Sequence, residues 1–278
     1  MPAHSAALPK PIEIVCEWRD LPERLRGAVV AMGVFDGVHL GHQAVIAQAA
    51  KVARELNAPL AVLTFDPAPK AFFNPDRACE RLMDSSQFES ALSALGVERI
   101  YLLPMKELSH VSSADFAQQV LRDGLQVRHV AVGFDNTFGC DRAGPEAMAA
   151  YGVELGFTTS VAAEVIDGSG AKICSTAVRQ ALRAGALEDA ERALGRVFSI
   201  RGDVSAQTDA AYKLTFGDYI APRPGAYAVR TRLADGVRLG LADITERTMD
   251  VRLADGDFSP AHRVIETELV AYLGAVAG

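Results

Sequence analysis

Gly33-Val34-Phe35-Asp36-Gly37-Val38-His39-Leu40-Gly41-His42 decides how this chain is read. Residues 28–34, which overlap its start, form a short apolar run interrupted by Gly33. In residues 41–56 after it, Val45, Ile46, Ala49, Val52 and Leu56 recur at helical spacing. A buried strand, a glycine turn and an amphipathic helix in that order make the opening βα unit of an α/β fold. The two histidines bracket Gly41 where the helix begins. Free backbone N–H groups and the positive end of the helix dipole favour an anion there, and Gly41 lets a phosphate approach the backbone without meeting a Cβ.

Outward from this unit the alternation continues. Residues 60–65, 99–103 and 129–132 read as further buried strands. Asp84 is placed to cap a helix through Leu95, with Gln87 three residues on and Gly96 at its end, and another helix is expected near 115–121. The pattern predicts a Rossmann-like parallel sheet with helices on its faces and ligands beyond the carboxyl ends of the strands. Residues 175–184 and 187–193 read as two short helices closed by Gly185 and Gly195. After Gly195 the period changes to two. Residues 226–232 and 237–241 alternate around Asp235-Gly236, a hairpin pair, and 249–253 alternates again before Asp255-Gly256. Residues 264–273 read as a terminal helix. The expected organisation is therefore an α/β domain over 1–195 and a small, mainly β domain with a terminal helix over 196–278.

The 278 residues carry a net charge of −7, which disfavours general nucleic-acid binding, since phosphate backbones reward a surplus of Lys and Arg. The four cysteines, Cys16, Cys79, Cys140 and Cys174, form no Cys-x-x-Cys pair and suggest neither a zinc site nor a disulfide framework. No apolar run reaches membrane-spanning length, and the first fifteen residues lack a signal-peptide pattern, so a cytoplasmic protein without membrane partners is expected.

Three further segments carry candidate chemistry. Leu63-Thr64-Phe65-Asp66-Pro67 closes the second strand, Val132-Gly133-Phe134-Asp135-Asn136-Thr137-Phe138-Gly139 follows a later one, and Ile173-Cys174-Ser175-Thr176-Ala177-Val178-Arg179 opens a helix. Taken singly, each has a plain structural explanation: Asp-Pro makes turns, a glycine-bounded acidic stretch makes surface loops, and Ser and Thr cap helices. A capped helix start followed by Arg is equally a phosphate cradle. Neither a Gly-x-Ser-x-Gly elbow nor a Gly-x-x-x-x-Gly-Lys-Ser/Thr loop is present.

The four segments together, in this order, resemble the HxGH nucleotidyltransferases and in particular the bacterial FAD synthetases. The resemblance is strong over about residues 28–200, with Val34, Ala68, Asn136 and Cys174 departing from the family's usual pattern. It implies transfer of AMP from ATP to FMN, giving FAD and pyrophosphate, with Mg²⁺ as cofactor. It implies that His39, His42 and Arg179 are catalytic. Gly33, Phe35, Asp36, Gly41, Ser175 and Thr176 would bind ATP, and Asp66, Pro67 and Asp135 would serve FMN or the metal, with Asp66 and Asp135 as the candidate metal ligands. Two alternatives stay open: another acceptor, such as pantetheine phosphate, nicotinate mononucleotide or glycerol phosphate, or a non-catalytic flavin- or nucleotide-binding regulator. The region behind residue 195 resembles the riboflavin kinase barrel of two-headed relatives at residues 195–202, at residues 224–229 and at Asp250, which stands where that kinase would have its catalytic Glu. Its Gly-Phe-Pro-Thr-Ala-Asn segment is missing; residues 210–216 offer no equivalent. The resemblance thus implies a degenerate kinase domain without riboflavin kinase activity.

Overall fold

The computed structural model describes residues 11–74, 80–208, 210–233, 236–254 and 264–275. Its contacts group the chain into two compact units: Met1–Phe35, Gly41–Asn74 and Glu89–Glu164 form the first, and Asp36–Leu40, Pro75–Phe88 and Val165–Gly278 the second. The signature decapeptide passes from the first unit to the second and back.

In chain order, the elements up to residue 162 are β1 (Glu13–Val15), β2 (Val29–Met32), α1 (Leu40–Leu56), β3 (Leu60–Asp66), α2 (Pro69–Phe73), α3 (Ser85–Ala94), β4 (Arg99–Pro104), α4 (Met105–Leu108), α5 (Ser113–Asp115), β5 (His129–Gly133), α6 (Pro145–Leu155) and β6 (Thr158–Ala162). Beyond α5 the backbone keeps turning over Phe116–Gly124 in wider, i→i+5 helical turns. The six strands form one parallel sheet in the order β1-β4-β3-β2-β5-β6. All four residues of β2 and the first four of β5 are buried, the signature of strands covered on both faces. The chain builds from β2 through β3 to β4, then returns to the other side of β2 with β5 and β6. The direction of winding thus reverses between β2 and β5, and a crevice opens at the carboxyl ends of such strands. Gly33 stands at that end of β2. The core beneath is apolar, with Val30, Ala61, Leu63, Tyr101, Leu121, Val130 and Met148 in one cluster. Asp84 and Gln87 form the reciprocal cap expected of them: Gln87 N donates to Asp84 Oδ1 at 2.8 Å and Asp84 N to Gln87 Oε1 at 3.1 Å.

The second unit contains α7 (Ser175–Ala184), α8 (Leu187–Leu194) and six antiparallel strands: β7 (Ser199–Gln207), β8 (Ala211–Thr215), β9 (Gly225–Leu233), β10 (Gly236–Ile244), β11 (Thr248–Leu253) and β12 (Val264–Gly274). The strands close into a barrel in the order β10-β11-β8-β7-β12-β9, so no edge is left to pair with another chain. Alternate residues point inward: Tyr212 and Leu214, Tyr227 and Val229, Met249 and Val251 are buried. Inside the barrel the Tyr212 hydroxyl meets the hydroxyls of Thr231 at 2.5 Å and Thr267 at 2.7 Å. The helices and the barrel share one apolar core, which joins Leu82, Val178, Leu182 and Leu194 to Phe198, Ile200, Phe216, Met249 and Leu269.

The terminal helix expected over 264–273 is a strand instead. β12 pairs with β7 on one side and β9 on the other, and without it the barrel could not close. Its β-branched residues Val264, Ile265, Thr267 and Val270 suit a pleated backbone. Register shifts against β9 between Leu269 and Ala271 and between Tyr272 and Gly274 break the period of two, so the apolar residues there imitate helical spacing. Leu233 and Gly236 are register partners across the β9–β10 pair, while Asp235 of the expected turn lies outside the described residues, as do Asp255-Gly256 and Cys79.

Candidate active site

In the first unit, β2 delivers Gly33, whose N–H donates to the Leu63 carbonyl of β3 at 3.1 Å. A Cβ on Gly33 would sit 3.2 Å from the Phe35 ring, so the glycine leaves room for that buried phenyl. Phe35 reaches its position in the left-handed region, at φ 55°, and its ring stands edge-on to His42, 5.2 Å between centroids. Gly41 and His42 occupy the first turn of α1. Asp66 ends β3 and Asp135 follows Gly133 at the end of β5, and both are exposed. Because β3 and β5 flank β2, these carboxylates belong to the strands on either side of the one that carries Gly33. A cleft of about 570 Å³ in the same unit is lined by Phe65, Phe73, Phe116 and Phe138, with Lys70 and Arg142 also in its wall. Aromatic walls with a few charged groups suit a flat, conjugated anion.

In the second unit, Asp36, Ser175 and Arg179 are brought together. The N-cap of α7 is Cys174, whose side chain makes no capping bond, so Ser175 and Thr176 are the first two helical residues rather than caps. Ser175 Oγ donates to the Asp36 carbonyl at 2.9 Å, while Thr176 is exposed. Arg179, one turn further along, donates through Nε to the Glu80 carbonyl at 2.9 Å and through Nη2 to Asp36 Oδ2. The other Asp36 oxygen accepts from Leu82 N at 3.0 Å. Burial pushes the Asp36 carboxyl above its usual range, while Arg179 and the Leu82 N–H pull it back. Next to it, Arg196 Nη2 donates to the Gly37 carbonyl at 2.9 Å. A Cβ on Gly37 would lie 2.7 Å from Leu82 Cδ1, and its φ of 84° is one that only glycine adopts cheaply. His39 is buried.

Among the described residues, no group of three or more His, Cys, Asp or Glu converges where a metal could be held by protein alone. Mg²⁺ bound with a nucleotide is held mainly by phosphates and water, with one or two carboxylates. Exposed hard-oxygen donors such as Asp66 and Asp135 fit that mode.

The sequence profile of the FAD synthetase family matches residues 21–177. The chain belongs to this family of nucleotidyltransferase enzymes. It is 41% identical over 195 residues to a bifunctional riboflavin kinase/FMN adenylyltransferase of Pseudomonas fluorescens, a match over 69% of this chain and 62% of that protein. A protein of the same name from Listeria monocytogenes is 33% identical over 238 residues, 82% of this chain and 74% of its own length. Among solved structures, one titled a macrolide-efflux protein of Streptococcus pneumoniae superposes with a TM-score of 0.84 at 24% identity, covering 96% of this chain and 92% of the other, a likeness of fold. No helix among the described residues is long and apolar enough to cross a membrane.

Two features of this FAD synthetase family member escaped the sequence reading. The aromatic cleft is assembled from β3, α2, the continuation of α5 and the loop after β5, with further residues from β2 and α4, and no single spacing announces it. Arg196 carries no local signal of its role, because the carbonyl it holds lies 159 residues away.

Proposed function

We propose that this chain is an FMN adenylyltransferase: an FMN phosphate oxygen attacks the α-phosphorus of ATP, the bond from that phosphorus to the β-phosphate oxygen breaks, and pyrophosphate leaves. The observation that carries the reading is the pair of histidines at the start of α1, on the loop leaving the switch-point strand β2. His39 and His42 hold the ATP phosphates and donate to oxygens where negative charge grows. The uncapped start of α7, with Ser175, Thr176 and Arg179, grips the β- and γ-phosphates and then the leaving pyrophosphate. Gly33, Phe35, Asp36 and Gly41 belong to the ATP side, Asp36 through the Arg179 that it holds. Bringing two polyanions together is the main difficulty, and positioning with charge neutralisation answers it. When bound, Mg²⁺ would supply further neutralisation, and Asp66 and Asp135 would be the residues to hold it. The cleft of Phe65, Phe73 and Phe116 takes the flavin ring, and Pro67 is an FMN-associated residue on the same reading.

On this reading residues 1–195 carry the chemistry and 196–278 form a riboflavin-kinase-like barrel that no longer phosphorylates riboflavin. Asp250, the residue in place of a catalytic Glu, is half-exposed and paired with Lys213 at 3.2 Å, from the segment that replaces the missing phosphate-binding motif. ATP and FMN are the partners, and the cytoplasm is the expected compartment. The test is to incubate the pure chain with ATP and Mg²⁺ and either FMN or riboflavin, then resolve the flavins by chromatography. FAD from FMN, and no FMN from riboflavin, is expected. Absence of FAD, or pyrophosphate release only with a different acceptor, would overturn the first part; robust FMN formation would overturn the second.

A further inference from the structure

The segment Asp36–Leu40 groups with the barrel unit, and the bonds that hold it explain why. One route runs through the strand-like stretch Glu80–Leu82. Leu82 N–H and the Arg179 guanidinium take the two Asp36 oxygens, and Arg179 Nε takes the Glu80 carbonyl. That stretch is itself tied down. Arg81 N donates to Asp218 O at 2.8 Å and Ile220 N to Arg81 O at 2.9 Å. Just beyond, Gln87 Nε2 donates to Ser199 Oγ and to Glu266 Oε1, each at 2.8 Å, and Arg201 Nη1 to Asp84 Oδ2 at 3.0 Å. Ser199, Arg201 and Glu266 are barrel residues of β7 and β12. A second route is shorter: Arg196, three residues before β7, donates directly to the Gly37 carbonyl. Burial lowers the Arg196 pKa, and the Glu266 carboxylate of β12 opposes that. The apolar side agrees, since Leu40 packs on the core that α7, α8 and the barrel share.

We propose that the barrel, with its kinase chemistry gone, is the rigid support of the adenylyl-transfer turn, and that Arg196 is the positioning residue that transmits it. Arg196 touches no substrate in this scheme. It fixes the carbonyl of Gly37, two residues before His39, and so fixes the histidine that meets the ATP phosphates. The inference rests on the adenylyltransferase reading for its kinetic test, though not for its binding test.

The experiment uses the full chain with Arg196→Met, which keeps the apolar stem, and Arg196→Lys, which keeps the charge. kcat and KM are measured for ATP and for FMN, beside the melting temperature and the affinity for a non-hydrolysable ATP analogue. Arg196→Met should lower kcat/KM for ATP by about 10- to 100-fold, the range for losing one charge-assisted hydrogen bond, and leave KM for FMN within about twofold. Millimolar guanidinium should recover part of the loss, and Arg196→Lys should lie between Met and the parent. Unchanged kinetics would overturn the proposal. So would an equal loss toward both substrates that follows melting temperature and resists guanidinium. If the parent makes no FAD, the function reading fails on its own, and analogue affinity still decides whether Arg196 shapes the turn: weaker binding in Arg196→Met supports it, and unaltered binding sinks it.

Discussion

The aromatic cleft of the sheet unit and the polar clamp of the barrel unit work by different physics. The cleft is walled by phenyl rings and offers area and shape, which tolerate small displacements of a ligand. The clamp on Asp36 and Gly37 is a set of hydrogen bonds near 3 Å, in which half an ångström matters. On the proposed function, the difference teaches where each half of a bisubstrate reaction needs accuracy. A flavin ring can be held by contact, whereas the phosphates must be held by direction.

The harshest way to break this contrast is at the histidines. His42→Ala should lower turnover by about 10²–10³-fold, the loss expected for one transition-state donor, with the fold kept because the residue lies at a helix mouth. Steady-state kinetics with near-parental kcat would remove His42 from the chemistry. A milder loss should follow in the cleft. Phe73 is 59% exposed and lines it, so Phe73→Ala should raise KM for FMN about three- to tenfold and leave KM for ATP unaltered. If ATP suffers instead, contact and direction are not divided as described.

The smallest effect concerns stability of the sheet unit alone. His129 is buried on β5, with its ring nitrogens on Thr158 Oγ1 at 2.7 Å and Ser160 Oγ at 2.9 Å. Burial holds its pKa below the ordinary 6.5, against a smaller pull upward from Glu55. The folded protein therefore keeps the ring neutral where the unfolded chain takes up a proton near pH 6.5. The stability this contributes is complete above that pH and is lost as pH falls through the lower, folded value. Urea midpoints should drop between pH 7.5 and 5.5, and His129→Gln should flatten the slope. An equal slope in both proteins would assign the acid sensitivity elsewhere.

Much of this was legible in the residues. β2, β3, β4 and β5 were readable as apolar runs because strands covered on both faces have no reason to carry polar residues. The Asp84–Gln87 cap was readable because both partners lie within one turn. β12 was not, since bulges shift its alternation and its partners are set only when the barrel closes. Of the candidate site, Gly33, the histidines and Arg179 stand in local patterns that single them out. The pairing of Asp36 with Arg179 spans 143 residues and that of Arg196 with Gly37 spans 159, so neither leaves a mark in any window of sequence.

Those spans also set a schedule. A turn of five residues near the start of the chain cannot take its working shape until partners 139 to 159 positions downstream exist and have folded. Closing loops of that length is slow, and contacts between such distant residues form late. On the ribosome, at about 5–20 residues per second, the sheet strands β1 to β6 can assemble while the turn still waits for α7, Arg196 and then the barrel. If the histidines act as proposed, competence for catalysis is thus among the last things the nascent chain acquires.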